Sequence, residues 1–206
     1  MLEVKDGTMR MYGEIGGYLE GGIGSTEFAA MLDAVGSDDL TINIQSNGGD
    51  VFEGLAIYNQ LRRHQGKVTV IVDSIAASIA SVISMAGDSV LMMPQSFMMI
   101  HNPWTAVVGD AGEMRGVADL LDLIGGQIAD IYAERSGQTV GRFLDLMAGE
   151  TWLTAQDAIE LGLADGIYNY TASIENARET AEPIVAACGF SKRIAAAHGL
   201  KRAKLR

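Results

Sequence analysis

The sequence predicts an α/β domain in which β-strands alternate with α-helices along one chain. Segments with apolar residues at every second position, such as Leu40, Ile42 and Ile44, are typical of strands that bury one face. Segments with apolar residues about one helical turn apart, such as Val51 and Leu55, are typical of helices that pack on such a sheet. Because the two patterns alternate over most of the chain, we expect one domain of mixed type.

The first half of the chain is predicted to contain three strands, each followed by a helix. Glu27 in the first turn after Ser25 indicates a helix start, since acidic side chains favour helix N-termini. Gly48 and Gly49 allow the positive φ of a tight turn between the second strand and its helix. The predicted elements are a strand over 9–15, a helix over 26–35, a strand over 39–45, a helix over 51–64, a strand over 67–73 and a helix over 78–86.

One long helix over 112–135 dominates the second half, and its apolar stripe is wider than packing within one domain demands. Thr154 with Asp157 three residues later is typical of a helix cap, and Gly162 of a helix end. The remaining predicted elements are extended segments over 89–93 and 96–100, a loop over 102–111, helices over 139–148 and 155–161, and a strand over 165–169.

The composition is that of a folded protein that needs no metal or disulfide scaffold. Apolar residues make up 48% and charged residues 20% of the 206 positions, which excludes intrinsic disorder and favours a core-rich or oligomeric protein. The single cysteine, Cys188, excludes a disulfide framework and a zinc cluster, and it fits a reducing cytoplasm. We therefore expect a cytoplasmic protein without a metal or another cofactor.

The charge divides the chain into an acidic body and a basic end. Six of the 15 basic residues and none of the 26 acidic ones fall in the last fifteen positions, so the rest carries a net charge of −17. Such a body repels nucleic acid and anionic membranes, so only the end of the chain could contact either. We predict a domain over 1–170 and a helix-prone basic tail over 171–206. The tail is either a disordered solvated end, an arm attracted to acidic scaffold protein or DNA, or a segment removed by self-cleavage.

Residues 68–86 form an apolar stretch that could be mistaken for a membrane span, since Asp73 is its only charged residue. The first half of the stretch alternates in the manner of a strand, and the second half consists of small residues and serines. A buried strand followed by a buried helix is therefore expected. The N-terminal residues lack a basic start followed by an apolar run, so no secretory signal is predicted and no membrane partner is expected.

A histidine base can be sought by elimination, because only three histidines are present. His64 lies at the polar end of a helix, and His198 lies in the tail. His101 ends an apolar extended run and precedes Asn102 and Pro103. A side chain at the mouth of a buried strand can act as a base beside a pocket. His101 is therefore the candidate base, the alternative being a core histidine that hydrogen-bonds to a backbone carbonyl.

Ser78 is the candidate nucleophile among the serines near the third strand. Ser81 and Ser84 lie inside an alanine-rich helix, where serines usually hydrogen-bond to a carbonyl of the preceding turn. Ser78 instead opens its helix, where we expect its own N–H and that of the next residue to be free to stabilise negative charge. The pair Gly48 and Gly49 could supply another donor or could form an ordinary tight turn. Without a following Lys-Ser/Thr the pair does not predict a nucleotide site.

Three short motifs, taken in order, resemble those of the Clp protease proteolytic subunit family. They are Asn47-Gly48-Gly49-Asp50, Ala76-Ala77-Ser78 and Met99-Ile100-His101-Asn102-Pro103. Segments 49–61, 76–88 and 150–167 are similar to the phage and prophage branch of this family, which includes prohead (capsid maturation) proteases. The resemblance covers about residues 9–169. It implies a ClpP/crotonase-like spiral of β-β-α units with a long handle helix.

The resemblance implies a serine endopeptidase that needs no metal or other cofactor. Ser78 would be the nucleophile and His101 the general base. The backbone N–H groups of Gly49 and Ile79 would form the oxyanion hole.

The family's third triad residue, an aspartate, falls on Glu150, which precedes the run Trp152-Leu153-Thr154-Ala155. A glutamate can orient the imidazole as an aspartate does. Asp145 and Asp157 are rival carboxylates, although Asp157 is better explained as a helix cap.

The resemblance also implies partners. In this family identical subunits form rings, seven to a ring and two rings stacked, and the enclosed sites act on unfolded or extended proteins. The helix over 112–135 corresponds to the handle by which two rings clasp. A Clp-type ATPase, or phage capsid or scaffold proteins, would be further partners. The first strand is predicted near residue 9, which leaves little room for the segment that meets the ATPase in housekeeping subunits and counts against that partner.

Three other classes remain open. A crotonase-like acyl-CoA enzyme would share the spiral fold and an oxyanion hole without needing Ser78 aligned with His101. A signal peptide peptidase of related fold would use a serine and a lysine, and Lys67 is the only lysine in the middle of the body. A catalytically inactive ring subunit would assemble but would not react with a serine-directed probe.

Overall fold

A predominantly parallel β-sheet organises the part of the chain that the computed structural model describes, residues 2–5, 8–17 and 21–169. The predicted α/β class is confirmed. The strands are β1 (Leu2–Lys5), β2 (Thr8–Tyr12), β3 (Leu40–Ser46), β4 (Val68–Ala77), β5 (Ser89–Met92), β6 (Phe97–Ile100), β7 (Thr151–Thr154) and β8 (Gly166–Ile167). The helices are α1 (Ser25–Val35), α2 (Val51–Arg62), α3 (Ile79–Ser84), α4 (Ala111–Ser136), α5 (Val140–Ala148) and α6 (Ala155–Leu161).

The central strand β4 divides its pairing between two neighbours. Residues 69–72 of β4 pair in parallel with β5, and residues 75–77 pair in parallel with β6. On its other side β4 pairs in parallel with β3. The sheet runs β1-β2-β3-β4-β5-β8, and β7 is joined antiparallel to β6. The carboxyl ends of β3, β4 and β6 therefore meet at one edge, which is the edge where parallel sheets usually bind ligands.

The core lies on one face of this sheet, as the alternating pattern predicts. Ile42 and Ile44 of β3 are fully buried, whereas Thr41 and Asn43, which alternate with them, are half-buried. Helical residues such as Phe28 of α1 cover the buried face and belong to the same apolar cluster. Burial of side chains like these supplies the main driving force for folding, at about 25 cal/mol per Å² of apolar surface.

Helix caps position the loops around the sheet. The Asp50 carboxylate accepts from the N–H groups of Phe52 and Glu53 and begins α2 directly after the glycine turn. Thr154 and Asp157 form a reciprocal capping box at α6, which confirms the predicted cap. The capping box at α6 fixes the residues that follow β7.

The structure corrects several predicted boundaries. The strand predicted to be first is preceded by β1, which pairs with it antiparallel. β2 ends at Tyr12, and Ile15 instead forms isolated bridges to Ile23 and Gly49. β4 continues to Ala77, beyond the predicted end at 73, because its second half gains a new partner in β6. β7 was not predicted, because it depends on antiparallel pairing with the distant strand β6.

The predicted basic tail over 171–206 lies outside the described residues, as do His198 and Cys188, and the boundary at 170 stays a prediction. Within the described ranges no helix has both the length and the apolar character needed to cross a membrane. The stretch 68–86 forms β4 and the buried helix α3, which confirms that prediction.

Candidate active site

Ser78 lies at the junction of β4 and α3, where its backbone takes an unusual conformation. Its φ is 55° and its ψ is −131°, a combination that residues other than glycine rarely adopt. Its N–H donates to the carbonyl of Met99 over 2.8 Å. The expectation that this N–H is free is therefore wrong, because β4 continues beside β6 as far as Ala77. The hydrogen bond instead ties Ser78 to the strand that leads to His101.

His101 directly follows β6, and the parallel register of β4 and β6 brings it to Ser78. Ala77 is paired with Met99, so the chain segments that leave the two strands do so side by side. Nε2 of His101 lies 2.7 Å from Oγ of Ser78, which is hydrogen-bonding distance. The imidazole is half-buried. The candidate nucleophile and the candidate base thus contact each other directly.

The other histidines do not join this pair. Nε2 of His64 lies 2.8 Å from the carbonyl oxygen of Asp38. His64 also lines a separate cleft that contains neither Ser78 nor His101. Because His198 lies outside the described residues, His101 is the histidine that the described structure places beside Ser78.

Gly48 and Gly49, between β3 and α2, pack against the Ser78 turn. Their φ angles are 96° and 149°. A Cβ on Gly48 would stand 2.7 Å from Cβ of Ser78, and a Cβ on Gly49 would stand 2.1 Å from the carbonyl oxygen of Ile15. Neither position therefore has room for a side chain. The bridge to Ile15 uses the carbonyl of Gly48 and the N–H of Asp50, so it leaves the N–H of Gly49 unused.

The backbone N–H of Ile79 is the other predicted oxyanion donor. Ile79 is the first residue of α3, so its N–H has no acceptor within the helix. Its nitrogen lies 3.3 Å from the point where a Cβ on Gly48 would stand, which places it on the side of the turn that faces the glycines. Donors from Gly49 and Ile79 thus lie on adjoining segments, and their role in catalysis stays a prediction.

Glu150 directly precedes β7, and His101 directly follows β6. The last pair of the antiparallel β6–β7 register is Ile100 with Thr151, so each of the two residues is adjacent in sequence to one member of that pair. The carboxylate is exposed, and its Oε1 accepts from Nε1 of Trp152 over 3.4 Å. No hydrogen bond between Glu150 and His101 is present in the described part of the chain. The backbone thus pairs the neighbours of Glu150 and His101, whereas the Glu150 side chain contacts Trp152.

The rival carboxylates are placed differently. Asp157 accepts hydrogen bonds from the hydroxyl and the N–H of Thr154, and these bonds hold the pKa of Asp157 below its usual value. That geometry is the helix cap expected for Asp157. Asp145 is exposed on α5, and no hydrogen bond within the described ranges joins it to His101.

An open cleft of about 680 Å³ surrounds the Ser78–His101 pair. Glu14 and Asp50 contribute acidic groups to its lining, Gln45 and Asn47 contribute neutral polar groups, and Trp104 is among the apolar side chains. The size and mixed lining suit an extended peptide segment. Across the described residues, no group of three or more His, Cys, Asp or Glu side chains is arranged to hold a metal ion.

Comparison with known proteins identifies the family. The family model described as "Clp protease" matches residues 26–171, which is more than half of the chain. The chain belongs to the Clp protease family. Over an alignment of 130 residues it is 36% identical to the ATP-dependent Clp protease proteolytic subunit of Chlorella vulgaris. This alignment covers 62% of this chain and 65% of that protein. Over an alignment of 139 residues it is also 36% identical to the subunit of the same name from Ligilactobacillus salivarius. That alignment covers 66% of this chain and 71% of the relative.

The Clp protease family, a family of serine-type peptidases, also accounts for the fold. A variant of ClpP1 from Listeria monocytogenes superposes with a TM-score of 0.68 at 25% identity, covering 79% of this chain and 91% of that one. The predicted ClpP/crotonase-like fold is thus confirmed. The chain spans slightly less than two thirds of the Chlorella vulgaris relative. The phage branch of the family stays a prediction.

Tyr132 belongs to none of the motifs visible in the sequence, and its hydroxyl lies close behind the Ser78 turn. Tyr132 occupies a core position of α4 and is 1% exposed. Its oxygen lies 2.7 Å from Oγ of Ser81. A tyrosine at a fully buried helix position was the available signal, because a buried phenol usually requires a hydrogen-bond partner.

Proposed function

We propose that this chain is a serine endopeptidase with Ser78 as nucleophile and His101 as general base. The observation that carries the proposal is the 2.7 Å distance between Oγ of Ser78 and Nε2 of His101. A serine hydroxyl is a weak nucleophile, and a neighbouring imidazole that removes its proton activates it. Membership of the Clp protease family and the open cleft around the pair support a peptide substrate.

The reaction proceeds through an acyl-enzyme. Nε2 of His101 takes the hydroxyl proton as Oγ of Ser78 attacks the carbonyl carbon of the scissile peptide bond. The N–H groups of Gly49 and Ile79 donate to the oxyanion that forms, a contribution of about 10²–10³ in rate for each donor in well-studied hydrolases. The imidazolium then gives its proton to the leaving amine. Water, deprotonated by the same imidazole, hydrolyses the ester and restores the Ser78 hydroxyl.

Glu150 completes the triad when its carboxylate turns from Trp152 toward Nδ1 of His101. Because Nε2 accepts the Ser78 proton, the neutral ring carries its own proton on Nδ1, and that proton needs an acceptor. Glu150 precedes Thr151, which is paired with Ile100, the residue before His101. Its bond to Trp152 spans 3.4 Å, beyond the usual hydrogen-bond range, so little is lost when it breaks.

Copies of the chain assemble into rings, seven subunits to a ring, which enclose the clefts. Support comes from apolar side chains that α4 leaves uncovered: Met114, Leu120 and Leu123 are 48%, 47% and 65% exposed. Contacts between copies would remove such surface from water. A closed ring admits only unfolded or extended substrates.

The natural substrates in this proposal are phage capsid or scaffold proteins. The support is the similarity of segments 49–61, 76–88 and 150–167 to the phage branch. A Clp-type ATPase is the alternative partner, since the relatives are named as subunits of ATP-dependent proteases. A cytoplasmic location fits this proposal and stays a prediction.

The direct test is covalent labelling with a fluorophosphonate probe, which reacts with an activated serine. We expect the parent protein to be labelled, and we expect Ser78→Ala and His101→Ala each to abolish labelling because nucleophile or base is lost. His64→Ala is the matched control, since it removes a histidine that contacts Asp38 instead, and it should be labelled at the parent rate.

Each failure of this test has a distinct meaning. Labelling that survives Ser78→Ala would contradict the assignment of the nucleophile. A folded, oligomeric parent that ignores the probe would favour an inactive ring subunit. Turnover of an acyl-CoA substrate by the Ser78→Ala variant would favour a crotonase-like enzyme, which needs no serine nucleophile.

A further inference from the structure

A buried chain of hydrogen bonds runs from α4 to the backbone of Ser78. The phenol oxygen of Tyr132 lies 2.7 Å from Oγ of Ser81, and that Oγ lies 2.5 Å from the carbonyl oxygen of Ser78. The N–H of Ser81 donates to the same carbonyl over 2.9 Å. Tyr132 and Ser81 are 1% and 0% exposed, so water does not compete for these bonds.

The direction of every proton in this chain follows from its chemistry. The Ser78 carbonyl can only accept, so the Ser81 hydroxyl donates to it. That uses the only proton of the Ser81 hydroxyl, so the Tyr132 hydroxyl donates to Oγ of Ser81. Burial raises the pKa of Tyr132 above its usual value, which keeps the phenol neutral and able to donate. Successive bonds of this kind polarise and strengthen one another.

The carbonyl that accepts these bonds belongs to the same peptide plane as the N–H of Ile79. A peptide unit is rigid, and its C=O and N–H point in opposite directions. Holding the Ser78 carbonyl toward Ser81 therefore holds the Ile79 N–H pointing away from Ser81, and the Ile79 nitrogen lies 3.3 Å from the point where a Cβ on Gly48 would stand. The strained φ of 55° at Ser78 makes such restraint necessary, because the peptide would otherwise relax to a commoner conformation.

We propose that Ser81 and Tyr132 are positioning residues that lock the peptide between Ser78 and Ile79 in the orientation required of an oxyanion donor. Ser81 acts on the peptide directly, and Tyr132 acts through Ser81. The inference rests on the proposed function, since the orientation affects a reaction only if Ser78 is the nucleophile.

Ser84 offers a matched control on the same helix. It is fully buried, and its hydroxyl donates to the carbonyl of Ala80 over 2.9 Å, away from the Ser78 peptide. Ser81→Ala and Ser84→Ala thus delete the same group from one buried helix, but only Ser81→Ala removes a hydrogen bond from the Ser78 carbonyl, which then keeps only the bond from the Ser81 N–H. A merely structural role would make the two variants alike.

The experiment measures fluorophosphonate labelling over a range of probe concentrations, which separates the maximal rate of Ser78 phosphonylation from probe affinity. We expect Ser81→Ala to lower the maximal rate about tenfold, less than the 10²–10³ for a deleted donor because the donor is displaced rather than lost. Probe affinity should stay within about twofold, since the cleft is unchanged. Ser84→Ala should keep the parent rate, with thermal unfolding as the check that both variants are folded.

Tyr132→Phe provides a second, independent variant, since the ring and its contact with Phe143 remain. Because Tyr132 acts through Ser81, we expect a loss of about threefold, and the double variant Ser81→Ala with Tyr132→Phe should be no slower than Ser81→Ala alone. The loss should be the same from about pH 6 to pH 9, because the phenol is a neutral donor throughout.

Three results would overturn the inference. Equal labelling rates for Ser81→Ala and Ser84→Ala, with labelling abolished by Ser78→Ala, would remove the positioning role and leave the proposed function intact. Additive losses in the double variant would show that Tyr132 does not act through Ser81. Undiminished labelling of Ser78→Ala would overturn the inference together with the proposed function.

Discussion

Ser78 and Glu150 are the two non-glycine residues with positive φ in the described part of the chain, at 55° and 47°. Ser78 is hydrogen-bonded to His101, and Glu150 precedes Thr151, which is paired with Ile100, the residue before His101. Such a conformation costs on the order of 1–3 kcal/mol and persists only where the surroundings impose it. Strained residues cluster at functional sites, so the coincidence supports a catalytic role for this corner of the sheet.

At the residue scale, the prediction concerns the carboxylate beside His101. Glu150→Gln keeps the size of the side chain but removes the charge that would stabilise the imidazolium. We expect the fluorophosphonate labelling rate to fall at least about tenfold, and by up to about 10⁴-fold if Glu150 acts as the third member of a serine protease triad. The rate is measured under the conditions used for the parent protein.

Asp145→Asn is the control for this prediction, since it neutralises a rival carboxylate on the exposed surface of α5. Its labelling rate should equal that of the parent. If Asp145→Asn lost as much activity as Glu150→Gln, or if Glu150→Gln were as fast as the parent, Glu150 would not be the orienting residue.

The two central residues could be predicted from sequence, but their geometry could not. Ser78 and His101 stand in motifs whose residue types are tied to the chemistry. The Glu150 carboxylate accepts a hydrogen bond from Nε1 of Trp152, whereas the proposed triad requires it to accept one from Nδ1 of His101. No residue pattern in the sequence shows which of these two donors it contacts. The Ser78 N–H was expected to be free, because the sequence does not show that β6 pairs with the end of β4.

At the scale of elements, the glycine turn between β3 and α2 determines how closely the strand ends can approach. Gly49 lies against the backbone of Ile15, and Gly48 lies against Ser78. The carboxyl ends of β3 and β4 can therefore meet without intervening side chains. This close approach brings the N–H of Gly49 to the same corner as Ser78.

Gly49→Ala should be strongly destabilising. The new Cβ would stand 2.1 Å from a backbone oxygen that cannot move aside, at a φ of 149° that alanine disfavours. We expect the free energy of unfolding to fall by about 3 kcal/mol or more. A urea denaturation curve measures it, at a fixed protein concentration so that assembly contributes equally.

Gly116→Ala is the control, because Gly116 is exposed within α4 and has open space around its Cα. There alanine should stabilise the helix by about 0.5–1 kcal/mol. If both variants unfolded at the urea concentration of the parent, the close packing of the glycine turn would not matter for stability.

Most elements could be predicted, and those that were missed share a physical cause. β3 alternates buried residues with more exposed ones, and the first half of β4 is an apolar run of β-branched residues, so both are visible in the sequence. β1 and β7 contain four residues each and are held by antiparallel partners. Their existence depends on pairing between distant segments rather than on local pattern.

At the scale of the whole molecule, α4 connects the site with the surface proposed for assembly. Its inner face places the Tyr132 hydroxyl behind Ser78, and its outer face exposes Leu120 and Leu123. A single chain leaves that outer apolar face in contact with water. Contacts with further copies would cover it and raise the stability of the assembled form.

We therefore expect the protein at micromolar concentration to have a light-scattering mass several times the 21.9 kDa of one chain. Leu123→Lys should lower that mass, because burying an unpaired ammonium group in an apolar contact is costly. Gln156→Lys makes the same change in charge on an exposed position of α6 and should leave the mass unchanged. A parent protein with the mass of a single chain would contradict the ring.

The most direct measurement is to locate the fluorophosphonate adduct by mass spectrometry of peptides from the labelled, full-length protein. We predict one adduct, on the peptide that contains Ser78, at a stoichiometry approaching one per chain. An adduct on any other serine, or none on folded protein, would contradict the claim that His101 activates Ser78.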